Sequence, residues 1–384
     1  MGPQAGTGES NLGYPALFWQ SNRMNLLIEQ AEILAERLDA WKGQPLVAMD
    51  TEFIRERTYY PQLALVQLAI PGQILLVDPT AAGMAQVLAP FLDDPAITKL
   101  MHSASEDLQA LLRGCGVVPS PVFDTQVAAA MAGLGAGLSY LKLVEQITGI
   151  TLEKGETRSD WLRRPLSESQ LKYAADDVLH LHAVHEVLEK KLRELDRLPW
   201  LQADSERAIA NARNDSDDPL PHLSVRSAQM LDRAGQARLR RLLRWRDAEA
   251  RRSDRPKSWV LDNELAVQLS RRPFEDFHRF NGVLDANPKA PRKARRELWD
   301  LLGPPLSDEE MALPLNRSGE TLDKPKLKAL QEAVGKIALE LNVPDGLLCA
   351  RKHLELLLEG RGWPAALEGW RRALLEPVLL PILG

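Results

Sequence analysis

The 384-residue sequence predicts an α/β domain built on a mixed sheet, followed by two small all-helical domains. Three observations lead there. Between residues 24 and 195, short apolar runs alternate with stretches of helical periodicity, as they do where sheet and helix form layers. Two of the runs are joined by little more than Pro71-Gly72, which makes them an antiparallel hairpin. Beyond residues 214–223, a stretch dense in Asp, Ser and Pro that reads as a linker, almost no strand signal remains.

Taken in order, residues 1–22 open on Gly and small polar types and are expected to be disordered. The α/β domain then occupies residues 23–213. Leu27, Ile28, Ala31, Leu34, Ala35 and Leu38 recur at helical spacing and predict a helix over 24–41. Gly43 and Pro45 punctuate the entry to an apolar run, Pro45 to Phe53, read as a buried strand. The hairpin strands follow at 63–70 and 74–77, a helix runs to Leu92, a strand spans 97–101, and a helix covers about 104–112. Further helices are expected at 125–131, 139–148 and 167–195. The helical domains are placed at 214–302 and 322–384, with 303–321 as a second linker.

Composition excludes several classes. The formal net charge of -5 carries no global basic signature, so contacts to nucleic acid must come from local patches. Cys115 and Cys349 are too far apart for a disulfide framework or zinc-ligand spacing and suit a reducing cytoplasm. The start lacks a charged segment followed by an apolar one, so no secretory signal is expected. The apolar tail from Leu374 to Leu383 is short and broken by Pro377 and Pro381, and no membrane contact is expected.

The first strand ends in Asp50-Thr-Glu52. Residues i and i+2 of a strand share a face, so both carboxylates project together while Thr51 points the other way. Buried side by side they repel unless a cation lies between them. Such triplets are common, and this one needs partners. One candidate is Asp107, in His102-Ser-Ala-Ser-Glu-Asp107 at a strand-to-helix junction. There Ser103 and Glu106 match a capping box, which gives Glu106 a structural reason; Asp107 is not needed as a cap, although an acid in a first helical turn also favours the helix dipole, so on this motif a structural and a metal role stand about even. His102 reads as a satisfied strand-end histidine. The other candidate is Tyr173-Ala-Ala-Asp-Asp177, on a helix that Ser167 and Gln170 would cap. Tyr173 and Asp177 are i and i+4 on one face; Asp176 is rotated off it and reads as a solvated acid. His180, His182 and His185 do not all share one face and read as a solvated flank.

An Asp-x-Glu on a strand, an Asp at a later helix start and a Tyr-x-x-x-Asp on a third element supply four hard oxygen ligands, suited to Mg²⁺ or Mn²⁺ rather than zinc. The arrangement resembles the DEDD superfamily of 3′→5′ exonucleases in its tyrosine branch; the histidine branch would place His where Lys172 stands. With Arg57-Thr-Tyr-Tyr-Pro-Gln, Leu65-Val-Gln-Leu, Phe123-Asp-Thr-Gln, Arg158-Ser-Asp-Trp-Leu and Arg164-Pro-Leu, the chain is similar to bacterial ribonuclease D from about Met24 to its end. The resemblance implies an RNase-H-like exonuclease domain followed by two HRDC domains. It also implies two divalent ions, one held by Asp50, Glu52 and Asp177 and one by Asp50 and Asp107, with Tyr173 orienting the attacking water. The implied substrate is RNA with a free 3′ end, transfer RNA precursors above all, released as 5′-mononucleotides. A DNA substrate for the same chemistry is an alternative, weakened because no polymerase follows. So is a catalytically silent RNA-binding protein, unsupported because all five residues are present.

For RNA contact, residues 226–257 carry eleven Lys or Arg against four Asp or Glu, with Trp245 and Trp259 for stacking. Leu239, Leu242 and Leu243 read as core; Arg240, Arg241 and Arg244 are the candidates to meet phosphates. Arg55, Arg57 and Tyr59, just past the first strand, are candidates for the 3′ strand, although their arginines could equally pair with acids.

Overall fold

The computed structural model describes residues 27–153, 155–156, 159–214, 217–316 and 323–384, so the segment 1–22 lies outside the described residues. The α/β half is a six-stranded sheet in the order β1-β4-β3-β2-β5-β6. Its strands are β1 (Leu27–Ile28), β2 (Leu46–Ile54), β3 (Gln62–Ile70), β4 (Gln73–Val77), β5 (Thr98–Met101) and β6 (Val122–Asp124). β3 runs antiparallel to both neighbours, as the tight turn demands, and the other pairings are parallel. The sheet is therefore mixed.

Alternation along β2 and β3 builds two cores. Val47, Met49, Val66 and Leu68 face α1 (Ala31–Ala40), α2 (Met84–Leu92) and α3 (Ser105–Cys115). Ala48, Leu65, Ala69 and Leu76 face α4 (Thr125–Met131), α5 (Tyr140–Thr148), α6 (Glu168–Leu179) and α7 (Leu181–Glu194). α8 (Leu198–Arg213) closes this half.

Two expected helices are corrected. Leu27 and Ile28 pair with Leu76 and Val77 as a strand, and the helix starts only at Ala31. The open edge of β4 recruits these residues, and the Ile28 carbonyl accepts from the Asp78 amide at 2.9 Å. The helix expected over 167–195 is interrupted at His180, whose amide donates to the Tyr140 hydroxyl at 3.2 Å. This break re-aims α7, so the three histidines are no solvated flank: His182 meets the Ala69 carbonyl at 3.0 Å, and the His185 ring lies against Phe123.

The C-terminal half is helical. α9 (Arg233–Ser253) buries Leu239, Leu242 and Leu243 against α11 (Asn263–Ser270), α12 (Phe277–Ala286) and α13 (Arg295–Leu302), with the short α10 (Lys257–Val260) between. α14 (Asp308–Ala312) folds back onto α9 within what reads from sequence as a linker: its Glu310 takes Arg241, and the Asn316 side chain donates to the carbonyls of His222, Leu223 and Val225. α15 (Lys324–Leu341), α16 (Asp345–Leu348), α17 (Arg351–Leu358) and α18 (Trp370–Leu383) surround a separate apolar cluster around Leu330, Leu354 and Leu375. Among the described residues no helix is long and apolar enough to cross a membrane.

This last group docks on the α/β half through buried polar contacts. Arg371 donates two bonds to the Asp204 carboxylate, at 2.5 and 2.6 Å, and the Trp200 and Trp370 rings stack at 4.4 Å. Arg197 spans the seam, donating to the Met131 and Leu341 carbonyls. Replacing one partner of a buried ion pair strands the other. Asp204→Ala is expected to lower stability by about 3–5 kcal/mol in denaturant unfolding, and the joint change Asp204→Leu with Arg371→Met by much less. Equal losses in the two would show that the pair is not what holds the seam.

Candidate metal centre

β2 carries Asp50 and Glu52 on the face that also bears Ala48, beneath α6. Ser167 and Gln170 form the predicted reciprocal cap at the start of α6, fixing its first turn so that Tyr173 and Asp177 point at the strand. Asp50, Glu52 and Asp177 each offer a carboxylate oxygen within 4.8 Å of the others, all three residues half-buried. Asp107 stands outside that set. It is buried at the start of α3, and Thr51, which points to the opposite face as expected, donates its hydroxyl to the Asp107 carboxylate at 2.5 Å. The strand thus presents acids to one side and tethers a fourth through its back.

The charges fit a divalent cation. Burial, then the charges of Asp107, Asp177 and Glu52, hold the Asp50 carboxyl well above the usual carboxylate range. Burial, then Asp177 and Asp107, push Glu52 up to about 9. Burial raises Asp107 to about 7 against the opposing bond from Thr51, and Asp177 to about 7 against that from Tyr173. Among the described residues no cationic side chain is a cause of any of these four shifts, and a metal ion is the counter-charge this donor set suits. Burial and then Asp177 also hold the Tyr173 phenol protonated far above its ordinary range.

Several features were not evident from sequence. The capping box at Ser103 is absent. Ser103 adopts φ +61°, and the amides of Ser103 and Ala104 donate to the Asp124 carboxylate, which also caps α4 through Gln126 and Val127. Glu106 is exposed, so burial rather than capping separates it from Asp107. Asp176 is not freely solvated; it is partly buried and paired with Lys172 at 3.2 Å. His102 is satisfied as expected, between Thr125 and the Leu138 carbonyl. Gly155 packs on Tyr173 so closely that a Cβ there would fall 2.0 Å from the ring.

The residues expected to meet RNA separate. Arg55 and Tyr59 line a polar cavity of about 260 Å³ with Tyr60, Arg113, Arg251 and Lys257, where the β2–β3 loop meets α9 and α10. Arg57 and Arg244 are exposed. Arg240 donates to the Pro219 carbonyl. Arg241 is corrected outright: all five of its N–H donors go to Glu310 and to the carbonyls of Leu301, Pro304 and Pro305, leaving none for a phosphate. Trp245 donates to Glu297, while Trp259 remains half exposed.

A mixed sheet carrying an acid cluster suits a metal-dependent nuclease, and a 3′-5′ exonuclease family model matches residues 26–193. Ribonuclease D of Xanthomonas oryzae pv. oryzae is 54% identical over 350 residues, covering 91% of this chain and 96% of that protein. Ribonuclease D of Pseudomonas paraeruginosa is 36% identical over 361 residues, covering 91% and 95%. The crystal structure of Escherichia coli RNase D, described as an exoribonuclease involved in structured RNA processing, superposes with a TM-score of 0.82 at 28% identity, covering 94% of this chain and 98% of that one. The chain belongs to the ribonuclease D family of 3′→5′ exoribonucleases.

The acids give a signed pH prediction. A carboxyl raised in the fold binds more protons there than in the unfolded chain, so its ionisation costs stability as pH rises from its ordinary 3.8 or 4.5 through its folded value. In EDTA the site should therefore lose stability between about pH 5 and 9. Mg²⁺ should restore it, with a larger rise in melting temperature at pH 8.5 than at 5.5. Equal rises at both pH values, or none, would contradict the assignment.

Proposed function

We propose that this chain shortens RNA from a free 3′ end, one 5′-mononucleotide at a time, with transfer RNA precursors as the substrate class. The observation that carries the reading is the set of half-buried carboxylates of Asp50, Glu52 and Asp177 within 4.8 Å of one another. Two ions, Mg²⁺ or Mn²⁺, would be held by Asp50, Glu52 and Asp177 and by Asp50 with Asp107. When bound, they supply Lewis-acid stabilisation of the phosphoryl oxygens and acidity for the attacking water. The protein's part is placement. Thr51 fixes the rotamer of Asp107. Tyr173, protonated and hydrogen-bonded to Asp177, is a donor that orients the water rather than a base that deprotonates it.

We assign the exonuclease unit to residues 23–213 and read 214–302 and 322–384 as HRDC-type helical units, with 303–321 between them. The basic residues around Arg55, Arg113, Arg251 and Lys257 lie between the first two units and suit a phosphate backbone. Two buried free thiols, Cys115 and Cys349, suit a reducing cytoplasm.

With Mg²⁺ and 3′-labelled RNA, wild type should release mononucleotides from RNA in preference to DNA. Asp50→Asn should slow release by about a thousandfold or more, equivalent to about 4 kcal/mol of transition-state stabilisation. Tyr173→Phe should slow it about 10–100-fold, and Glu106→Gln not at all. No release from RNA by the wild type would sink the reading. Among the arginines, Arg55→Ala and Arg244→Ala should each flatten the salt dependence of RNA binding by about one unit of log–log slope. Arg241→Ala should lower the melting temperature instead, and a flattened salt slope with unchanged melting would reverse that distinction.

A further inference from the structure

Gln67, in the centre of β3, is fully buried, and among the described residues neither its Oε1 nor its Nε2 has a hydrogen-bond partner. An unpartnered amide at the middle of a core is rare and costly. The ladder shows what it is near. Gln67 stands directly opposite Asp50 on one side and Leu76 on the other, and Leu65 and Ala69 flank it on its own strand and face. Three of these four neighbours are apolar, and the fourth is Asp50. The diagonal position across β2 belongs to Glu52. Directly opposed side chains share a face with Cβ atoms about 4.5–5.5 Å apart, so a glutamine amide can reach the carboxylate beside it. Helix α6 packs on this face through Ala174, Ala175 and Val178, which supply no polar side-chain atom, and its polar residues there, Tyr173 and Asp177, bond to each other within the acid cluster.

We propose that Gln67 is a positioning residue for Asp50, its amide N–H donating to the Asp50 carboxylate when that group holds metal. The assignment rests on the reading of Asp50 as a metal ligand. Such a ligand needs an outer hydrogen bond to fix the plane of its oxygens. No other side chain paired with Asp50 or Gln67 across the sheet can provide one: Ala48, Leu65, Ala69 and Leu76 are apolar, and Glu52 is itself an acid.

The test compares wild type, Gln67→Leu and the near-isosteric Gln67→Met, reading three quantities: the Mg²⁺ concentration for half-maximal RNA hydrolysis, kcat and KM for RNA, and melting temperature in EDTA and in Mg²⁺. Both variants should need about 10–100-fold more Mg²⁺ and show a smaller Mg²⁺-induced rise in melting. KM for RNA should stay within about twofold. In EDTA they should melt at or above the wild-type temperature, because there the amide has no partner to lose. An unchanged Mg²⁺ requirement in either folded variant overturns the proposal. So does a fall in EDTA melting in both variants, which would make Gln67 a structural group; if only Gln67→Leu fails to fold, Gln67→Met decides. A wild type with no Mg²⁺ response, in melting or hydrolysis, would bring down the metal reading itself, and that outcome is distinct from the others.

Discussion

Asp50, Glu52 and Asp177, half-buried, crowd within 4.8 Å of one another and together with the buried Asp107 bring four acids to one strand end, an arrangement that repels itself in the absence of a cation. Holding it requires stability from elsewhere, and the rest of the α/β half reads as the source. β2 is the inner strand between an antiparallel and a parallel neighbour, so its backbone is pinned on both edges. Apolar packing on both faces then leaves it no freedom to turn the acids toward water. Unpaired buried charge is what a fold ordinarily avoids, and its persistence here is the physical argument for function.

The same constraint explains why the supporting elements meet where they do. α3 delivers Asp107 from the far side of β2, where Thr51, on the alternate face, donates its hydroxyl to the carboxylate. α6 delivers Asp177 and Tyr173 from the near side, on a first turn locked by its own cap. Asp124, at the end of β6, fixes two successive helix starts with one carboxylate. Asp107 and Asp177 therefore each have a contact that sets their direction, the Thr51 hydroxyl for the first and the cap of α6 for the second.

This division also marks what could be read in the sequence. The Asp-x-Glu pair was legible because a strand has a period of two, and Tyr173 with Asp177 because a helix brings i and i+4 together. The fold class followed from the same periodicities. Contacts set by distant residues were not legible. Ser103 matches a capping box, yet Asp124, 21 positions away, takes the Ser103 amide that such a box would leave to Glu106. Arg241 sits in a basic run that suggests phosphate, but Glu310 and the carbonyls of a returning chain consume its donors. The strand at Leu27 exists because β4 has an open edge, a fact of topology that local pattern does not carry.

The two helical regions attach to this centre by contacts of different strength. The C-terminal one is held by Arg371 and Asp204, buried and bidentate, with stacked tryptophans beside them. The first is held near the site by exposed bonds, in which Asp254 at the end of α9 accepts from the amides of Tyr59 and Tyr60 at 3.0 and 3.1 Å. Exposed polar contacts contribute at most about 1 kcal/mol, whereas breaking a buried pair costs about 3–5. The weaker junction is the one that touches the loop leaving β2, at Tyr59 and Tyr60, and that also borders the basic cavity. Loss of that junction would therefore cost the molecule little, while the other seam keeps it assembled.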